Sequence, residues 1–203
     1  MMNESLFTSE VTLAQKAYEI IEEMIVTLQL PPGTMFSEKQ LSERIGIGRT
    51  PLREALQKLA TQKLITMLPR RGVVVSDINV SQMLALLETR RVLDRLIAGK
   101  AALRATPLQK KRLQEIASAI QTAVQQNDIS TYMKLDREFD HLLEEACRNP
   151  FAAQLAATLH VHCRRFWFYY HSPDELQKAA RLHLDVMEAV ITGDGERAES
   201  ASD

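Results

Sequence analysis

Apolar side chains recur at helical spacing over residues 12–28, which predicts an amphipathic helix there. The face that they share consists of Ala17, Ile21, Met24, Ile25 and Leu28. A Pro-Pro-Gly run at residues 31–33 follows and ends this helix. A second, short helix is predicted to run through Ile45, with Ser37 as its N-cap.

A third helix is predicted after a tight turn at residues 46–48. Thr50 is its predicted N-cap and Pro51 its first residue, a position where proline is well tolerated. The apolar stripe of this helix consists of Leu52, Ala55, Leu56 and Leu59. Two short helices joined by a tight turn are typical of a helix-turn-helix.

The pattern changes after Lys63, where two short runs favour strands. Residues 64–67 and 73–75 form these runs, and a Pro-Arg-Arg-Gly segment at residues 69–72 separates them. The sequence therefore predicts a two-stranded hairpin with a basic tip. A helix-turn-helix followed by such a hairpin has the outline of a winged helix-turn-helix.

From about Asn79 onward the pattern is helical, with some six helices. The breaks between them are Thr106-Pro107, Asn127-Asp128, Asn149-Pro150, His171-Ser172-Pro173 and Gly193-Asp194-Gly195. We therefore predict a mainly α protein. Residues 1–77 form a winged helix-turn-helix with three helices and a β-hairpin, and residues 78–203 form an all-α helical bundle.

Composition places the chain among ordinary globular proteins, with 45% hydrophobic and 25% charged residues. No apolar run approaches the roughly 18 residues that would span a membrane, and residues 1–7 lack the pattern of a signal peptide. The two cysteines, Cys147 and Cys163, fit neither a disulfide framework nor a CxxC site, so we expect small core residues in a reducing compartment. These features predict a cytoplasmic protein.

Charge is distributed unevenly along the chain. The net charge of the whole is -1, yet residues 31–75 contain eight basic side chains against three acidic ones, a local charge of +5. The remainder must carry -6. A basic segment suited to DNA is thus joined to an acidic body.

Arg49 and Arg53 lie four residues apart at the start of the third helix and share a face. Each guanidinium can donate to O6 and N7 of one guanine, and the Thr50 hydroxyl can add a contact to the DNA backbone. The alternative is that the arginines form an ordinary solvated helix face. Gly72 is either a plain hairpin glycine or a residue whose missing side chain lets the wing approach the minor groove or a phosphate.

The segment SEKQLSERIGIGRTPLREAL at residues 37–56, followed by PRRG at residues 69–72, closely resembles the GntR family of bacterial regulators. The resemblance implies that Arg49 and Arg53 read bases, and that Lys39 contacts DNA from the preceding helix. Arg71 and Gly72 match the wing tip. Gly48 departs from the family, which usually has serine or threonine there, and this removes one phosphate contact.

The helical part resembles the FadR-type effector domain of that family, known as FCD, over nearly all of residues 79–203. The segments that carry this resemblance are LETRRVLD at 87–94, DREFDH at 136–141 with Asn149-Pro150, and Leu182-His183 through Gly193-Asp194. Asp94 stands where glutamate is usual.

Many members of this family bind a divalent metal, zinc or a similar ion, which helps to hold a carboxylate ligand. The resemblance places Asp136 and His183 at two ligand positions and Asp140 at a third, where the family has histidine. Asp140 shares a helix face with Asp136 and could supply an oxygen ligand. The neighbouring His141 lies about 100° further round the helix and should point elsewhere. The fourth position would fall beyond Asp203, where another helical stretch is expected.

Other interpretations of these residues stay open. Asp136 and Asp140 could be exposed helix charges, His183 a hydrogen-bonded core histidine, and the pocket metal-independent. The aromatic run at residues 164–171 could pack in the core or at a dimer interface. It could also form a pocket wall, beside which Arg90, Arg164 or Arg165 pairs with an acidic effector.

The leading hypothesis is a homodimeric transcriptional regulator, either repressor or activator, that binds an inverted repeat in double-stranded operator DNA and responds to a small organic acid. It predicts neither an organic cofactor nor membrane association. One alternative is a metal-dependent enzyme built on Asp136, Asp140 and His183. No nucleophile–base pair, phosphate loop or HExxH motif accompanies those residues, so we expect no enzyme. A second alternative makes the helical part a ligand-free dimerisation body.

Overall fold

The computed structural model describes residues 11–172 and 175–203. The chain divides into two compact units, of which the first ends at Ile78 and the second spans Asn79–Asp203. The segment at residues 1–7 that argues against a signal peptide lies outside the described residues, as does Pro173 of one predicted helix break. Each unit has its own core.

The first unit contains three helices and a small sheet. Its elements are α1 (Leu13–Val26), β1 (Met35–Phe36), α2 (Glu38–Ile45), α3 (Arg49–Thr61), β2 (Ile65–Leu68) and β3 (Gly72–Val75). The mainly α fold class is confirmed, with three helices and a hairpin in the predicted order.

The core of the first unit forms where α1 packs against α3. Four side chains at this contact are fully buried: Ile21 and Ile25 from α1, and Leu52 and Leu56 from α3. Burying a side chain of this size stabilises a fold by about 1.5–3 kcal/mol. This packing holds α3 with one face fixed inward, so its opposite face is presented to solvent.

The ends of α2 and α3 follow from short-range hydrogen bonds. Ser37 Oγ accepts from the Gln40 backbone N–H at 3.2 Å, and Gln40 Oε1 accepts from the Ser37 N–H at 2.9 Å. The predicted Ser37 cap is therefore confirmed as a capping box. Gly46 ends α2 in the left-handed conformation, with φ +68°.

The predicted Thr50 cap of α3 is wrong. Gly48 is the N-cap, and no side chain bonds to the first turn. The Gly48 carbonyl accepts from the Leu52 N–H at 3.2 Å, so the helix has already begun before Thr50. Pro51 is consequently the third helical residue instead of the first.

The sheet has the strand order β1-β3-β2, and both pairings are antiparallel. The hairpin of β2 and β3 was predicted, whereas β1 was not. Phe36 of β1 lies opposite Val73 of β3, and Leu68 lies opposite Gly72. The strand β1 thus ties the wing to the residue that caps α2.

The second unit is all-helical over its described residues. Its helices are α4 (Val80–Arg104), α5 (Pro107–Gln125), α6 (Ile129–Ala146), α7 (Pro150–Tyr170), α8 (Glu175–Thr192) and α9 (Gly195–Ala201). Thr106 and Asn149 cap α5 and α7, each with proline following, as the predicted breaks require. The long helix α4 packs against α6, α7, α8 and α9, which places it at the centre of the unit.

Cys147 and Cys163 are buried and free, as expected of small core residues. None of the described helices combines the length and the apolar character needed to cross a membrane.

Candidate nucleic-acid interface and effector cavity

The exposed start of α3 carries two arginines on one face. Arg49 and Arg53 are exposed, while Leu52 between them is fully buried. The burial of Leu52 and Leu56 fixes the rotation of the helix, so both guanidinium groups lie on the solvent side. This arrangement agrees with the helical spacing from which the shared face was predicted.

Helix and wing residues meet in a groove of about 530 Å³ in the first unit. Its basic and wing residues include Lys39, Arg49, Arg53, Pro69, Arg70 and Gly72. Four of the predicted DNA-binding residues thus line a single groove. Thr50 and Arg71 are also exposed, but they lie outside this lining. Arg70 joins the groove without having been predicted as a site residue.

Gly72 has a structural role at the start of β3, next to the wing tip. Its φ is +103°, and a Cβ placed there would lie 2.5 Å from the Phe36 carbonyl oxygen. A side chain at this position would have to displace backbone. The close approach of β1 to the wing therefore requires glycine, whatever the wing contacts outside the protein.

An acidic residue lies within this basic groove. Glu38 Oε2 accepts a hydrogen bond from Arg53 Nε at 2.7 Å, and its side chain is only 26% exposed. Lys39, the next residue, pairs more loosely with Glu43 at 3.9 Å. Sequence spacing does not indicate the ion pair of Glu38 with Arg53, because the two residues are 15 positions apart and on different helices.

A cavity of about 420 Å³ lies within the second unit. Its apolar walls include Leu87, Ile97, Phe139, Leu143, Leu182 and Val186. Its polar groups include Arg90, Arg91, Asp94, Asp140, His160 and His183. An apolar pocket with a few convergent charged groups is the usual form of a small-molecule site. Arg90, one predicted effector contact, lines this cavity.

Acidic and cationic side chains alternate in a network beside the cavity. Arg90 Nε donates to Asp94 Oδ2 at 2.7 Å. His160 lies between Asp94 Oδ1, at 2.8 Å from Nε2, and Glu144 Oε1, at 3.1 Å from Nδ1. Because Asp94 is on α4, Glu144 on α6 and His160 on α7, one imidazole ties three helices together.

The charges in this network set the proton affinity of His160. Burial alone would lower its pKa, but Asp140, Asp94 and Glu144 raise the pKa of His160 to about 10. Burial would likewise raise the pKa of Asp94, yet His160 and Arg90 hold that pKa below its ordinary value. At neutral pH the network therefore contains an imidazolium between carboxylates.

The three predicted metal ligands lie next to this network, each with a protein partner. Asp136 Oδ1 is 3.0 Å from His183 Nδ1. Asp140 Oδ2 accepts from Arg164 Nη1 at 2.7 Å and lies 3.4 Å from His160 Nδ1. In this arrangement a guanidinium neutralises Asp140.

In this arrangement the Arg164 guanidinium, 2.7 Å from Asp140, would repel a metal ion bound at that carboxylate. Within residues 11–172 and 175–203, no three His, Cys, Asp or Glu side chains are grouped to hold one. Asp136 and Asp140 are buried, so the interpretation as exposed helix charges is wrong. His141 is exposed and pairs with Glu144, which confirms that it points away from Asp136.

The aromatic run divides between two environments. Trp167 lines a second, smaller cavity of about 90 Å³ together with Tyr132 and Arg164, and the Tyr132 and Trp167 ring centres are 5.5 Å apart. Tyr169 and Tyr170 are half exposed. Arg165 is only 2% exposed and lines neither cavity, so the structure does not bring it together with Arg90 and Arg164.

His160 is the main residue that sequence reasoning missed in this unit. A signal was present, since His160 and Arg164 are four residues apart and must share a face of their helix. Nothing in the sequence pairs that face with Asp94, which lies 66 positions earlier. The family resemblance marks Asp94 only as a departure from the usual glutamate and does not indicate its contact with His160.

Both units match known protein families. Residues 13–75 match the model described as bacterial regulatory proteins, gntR family, and residues 85–203 match the FCD domain. The HTH-type transcriptional repressor RspR of Escherichia coli K12 is 31% identical over 191 residues, covering 92% of this chain and 82% of the relative. The fatty acid metabolism regulator protein of Yersinia enterocolitica is 31% identical over 183 residues, covering 81% of this chain and 74% of the relative.

A solved structure shares the fold. The protein titled E. coli McbR/YncC superposes with a TM-score of 0.81 at 21% identity, covering 95% of this chain and 92% of the other. The family models and the curated relatives agree on a DNA-binding transcriptional regulator. The chain belongs to the GntR family of bacterial regulatory proteins and combines the GntR helix-turn-helix with an FCD domain.

Proposed function

We propose that this regulator is a cytoplasmic homodimer of the FadR subfamily that binds an inverted-repeat operator and releases or tightens it in response to a small organic acid. One observation carries the proposal. Arg49 and Arg53, on the exposed face at the start of α3, line the same groove as Lys39 and the wing residues Arg70 and Gly72. Guanidinium groups suited to bases and cations suited to phosphates would therefore contact the same DNA duplex.

The start of α3 has the chemistry of a recognition helix. In helix-turn-helix proteins the N-terminal residues of the second helix reach base edges in the major groove. Arg49 has no ion pair with the described residues, and Arg53 has one, with Glu38. Lys39 and the wing cations would contact phosphates of the DNA backbone on either side of α3. These contacts would fix the position of the protein along the duplex.

A dimer is proposed from exposed apolar side chains on α4 and α7. Phe151 is 80% exposed and Leu155 is also exposed on α7, and Leu84, Val92 and Leu103 are exposed on α4. Scattered exposed apolar residues are ordinary, but large ones repeated along two packed helices favour an interface. A two-fold axis would present two copies of α3 to two half-sites.

The proposed effector site is the cavity of about 420 Å³. Its walls suit the apolar part of a small acid, and Arg90 supplies a guanidinium that can receive a carboxylate. Binding there would compete with Asp94 for Arg90, because the two are already joined at 2.7 Å. A shift of α4 would then couple the site to DNA affinity, with a typical coupling free energy of about 1–3 kcal/mol.

We further propose that this site is metal-independent, because Arg164 supplies the positive charge beside Asp140. Thermal melting of the purified protein tests this without any DNA. We expect neither EDTA nor added zinc, manganese or nickel to move the melting temperature, since only a ligand of the folded state raises it. Stoichiometric metal in the purified protein, or a fall in melting temperature with EDTA, would contradict metal independence.

The operator proposal is tested by selecting binding sites from random double-stranded DNA and measuring affinity as a function of salt. We expect a selected inverted repeat, with a steep decrease of affinity as salt rises. An effector screen follows by measuring which small acids change the affinity for that operator. Because the relative RspR is named as a repressor, we expect the operator to overlap a promoter. Equal affinity for selected and unrelated DNA would contradict the proposal.

A further inference from the structure

A carboxylate in a groove meant for DNA needs an explanation. Glu38 lines the same groove as Lys39, Arg49 and Arg53. Its negative charge repels phosphates and so weakens general attraction to DNA. The contacts of the Glu38 carboxylate indicate what offsets this loss of affinity.

Glu38 is directed at Arg53 and held in place by its own helix. It is the first residue of α2 and lies within the capping box, between Ser37 and Gln40. That box fixes the backbone from which the Glu38 side chain projects. The bond between Glu38 Oε2 and Arg53 Nε measures 2.7 Å, typical of a charge-assisted hydrogen bond.

The choice of donor atom matters for base recognition. The bond uses Nε, on the inner edge of the guanidinium. Among the described residues, none accepts a hydrogen bond from Nη1 or Nη2, which form its outer edge. These two atoms form a planar fork that matches O6 and N7 of guanine. An ion pair through Nε therefore leaves this fork available to a ligand, whereas Arg49 has no such ion pair among the described residues.

We propose that Glu38 is a specificity-determining positioning residue that orients Arg53 toward one guanine of the operator and disfavours DNA lacking it. The inference rests on the proposed operator binding. Orientation before binding lowers the conformational cost of the correct contact. The carboxylate charge lowers the affinity for all DNA, and only a contact between Arg53 and the guanine offsets this loss. The two effects together increase the difference in affinity between the operator and other DNA.

The test compares Glu38→Ala with Glu43→Ala. Both remove one carboxylate from α2, and Glu43 is exposed and pairs with Lys39 instead of an α3 arginine. The measured quantity is the specificity ratio, the Kd for unrelated DNA divided by the Kd for the selected operator. Both variants should bind unrelated DNA somewhat more tightly. Only Glu38→Ala should lower the ratio, by about 10-fold, the scale of one bidentate base contact.

Two further variants separate orientation from a merely structural effect. Glu38→Gln keeps an oxygen that can accept from Nε, and we expect it to recover part of the ratio. In an Arg53→Ala background, Glu38→Ala should lower the ratio no further, because the residue that it orients is gone. Melting temperatures close to that of the wild type confirm that each variant is folded.

Three results would overturn the inference. The ratio could be unchanged in Glu38→Ala, it could change equally in Glu43→Ala, or the effect of Glu38→Ala could persist without Arg53. In each of these cases the wild type still prefers its operator, and the contact of Glu38 with Arg53 is an ordinary surface ion pair that does not orient Arg53 for base recognition. A wild type with no preference among DNA sequences would instead overturn the proposed function, and this inference with it.

Discussion

His160 Nε2 lies 2.8 Å from Asp94 Oδ1, and this contact joins α7 to the central helix α4. The other ring nitrogen reaches Glu144 on α6 at 3.1 Å. The imidazole is only 5% exposed. A single buried side chain therefore links three of the helices that line the proposed effector cavity.

We expect His160→Leu to destabilise the second unit by about 2–4 kcal/mol, because it leaves Asp94 and Glu144 without a buried cation between them. Urea unfolding followed by helical circular dichroism measures the free energy of unfolding. His141→Leu is the matched control, since His141 is exposed and should change stability by less than about 0.5 kcal/mol. Equal effects of the two substitutions would show that the contacts of His160 contribute little.

The same residue predicts a pH dependence of stability. The pKa of His160 rises from an ordinary 6.5 to about 10 on folding. A raised folded-state pKa gives stability that is fully present below the unfolded-state value and is lost as pH rises through the folded-state value. The stability difference between wild type and His160→Gln should therefore shrink between about pH 6.5 and 10. A difference that stays constant over this range would show that His160 is neutral in the folded protein.

At the DNA surface, Arg49→Ala should weaken operator binding by about 1–3 kcal/mol and relax the preference at one base pair. The measurement is the affinity for a panel of single-base operator variants. Arg44→Ala removes an equal charge from α2, but Arg44 lies outside the groove lining, so it should leave the base preference intact. If Arg49→Ala weakened all sequences uniformly, Arg49 would be a phosphate contact.

The wing gives a prediction about backbone. Gly72→Ala should destabilise the first unit by about 1–3 kcal/mol, because φ of +103° and the Phe36 carbonyl at 2.5 Å both oppose a Cβ. Gly48→Ala is the control for the strands, since no atom lies within 4 Å of a Cβ there and its cost as the N-cap of α3 lies outside β1 and β3. Amide hydrogen exchange in β1 and β3 measures the effect locally. Unchanged exchange in Gly72→Ala would mean that the strands can separate at little cost.

Dimerisation is predicted to depend on the exposed end of α7. Phe151→Glu should convert a dimer to a monomer, as measured by light scattering on a sizing column, because a charge would enter an apolar interface. Leu108→Glu is the control, since Leu108 is 77% exposed but lies on α5. The opposite pattern would place the interface on another face.

Periodicity and capping residues predicted the helices of both units, because a helix is specified by contacts three or four residues apart. Ser37 with Gln40 and Thr106 with Pro107 are signals of this kind. Strand β1 has only two residues and no period, so the pattern could not indicate it. Its pairing depends on β3, which lies about 38 positions further along the chain.

The sites show the same division. The shared face of Arg49 and Arg53 follows from their spacing, whereas the bond from Arg53 to Glu38 depends on how α2 packs beside α3. His160 with Arg164 could have been grouped by spacing, but their carboxylate partners lie on α4 and α6. Only tertiary packing determines which acid meets which base, and the error at Thr50 arose because the Gly48 carbonyl already starts α3.

The junction of β1 with the wing has a mechanical consequence. Phe36 pairs with Val73 inside the sheet, and the next residue, Ser37, starts α2. Lys39 and Glu38 are therefore carried by the same short stretch of backbone that braces the wing, with no flexible spacer between them. A tilt of the wing would move Glu38 relative to Arg53, so a substitution at the wing tip can change which base α3 prefers without touching that base. The first unit should therefore act as a rigid body. It should select DNA whose grooves match the fixed spacing of α3 and the wing, instead of adjusting that spacing to each DNA sequence.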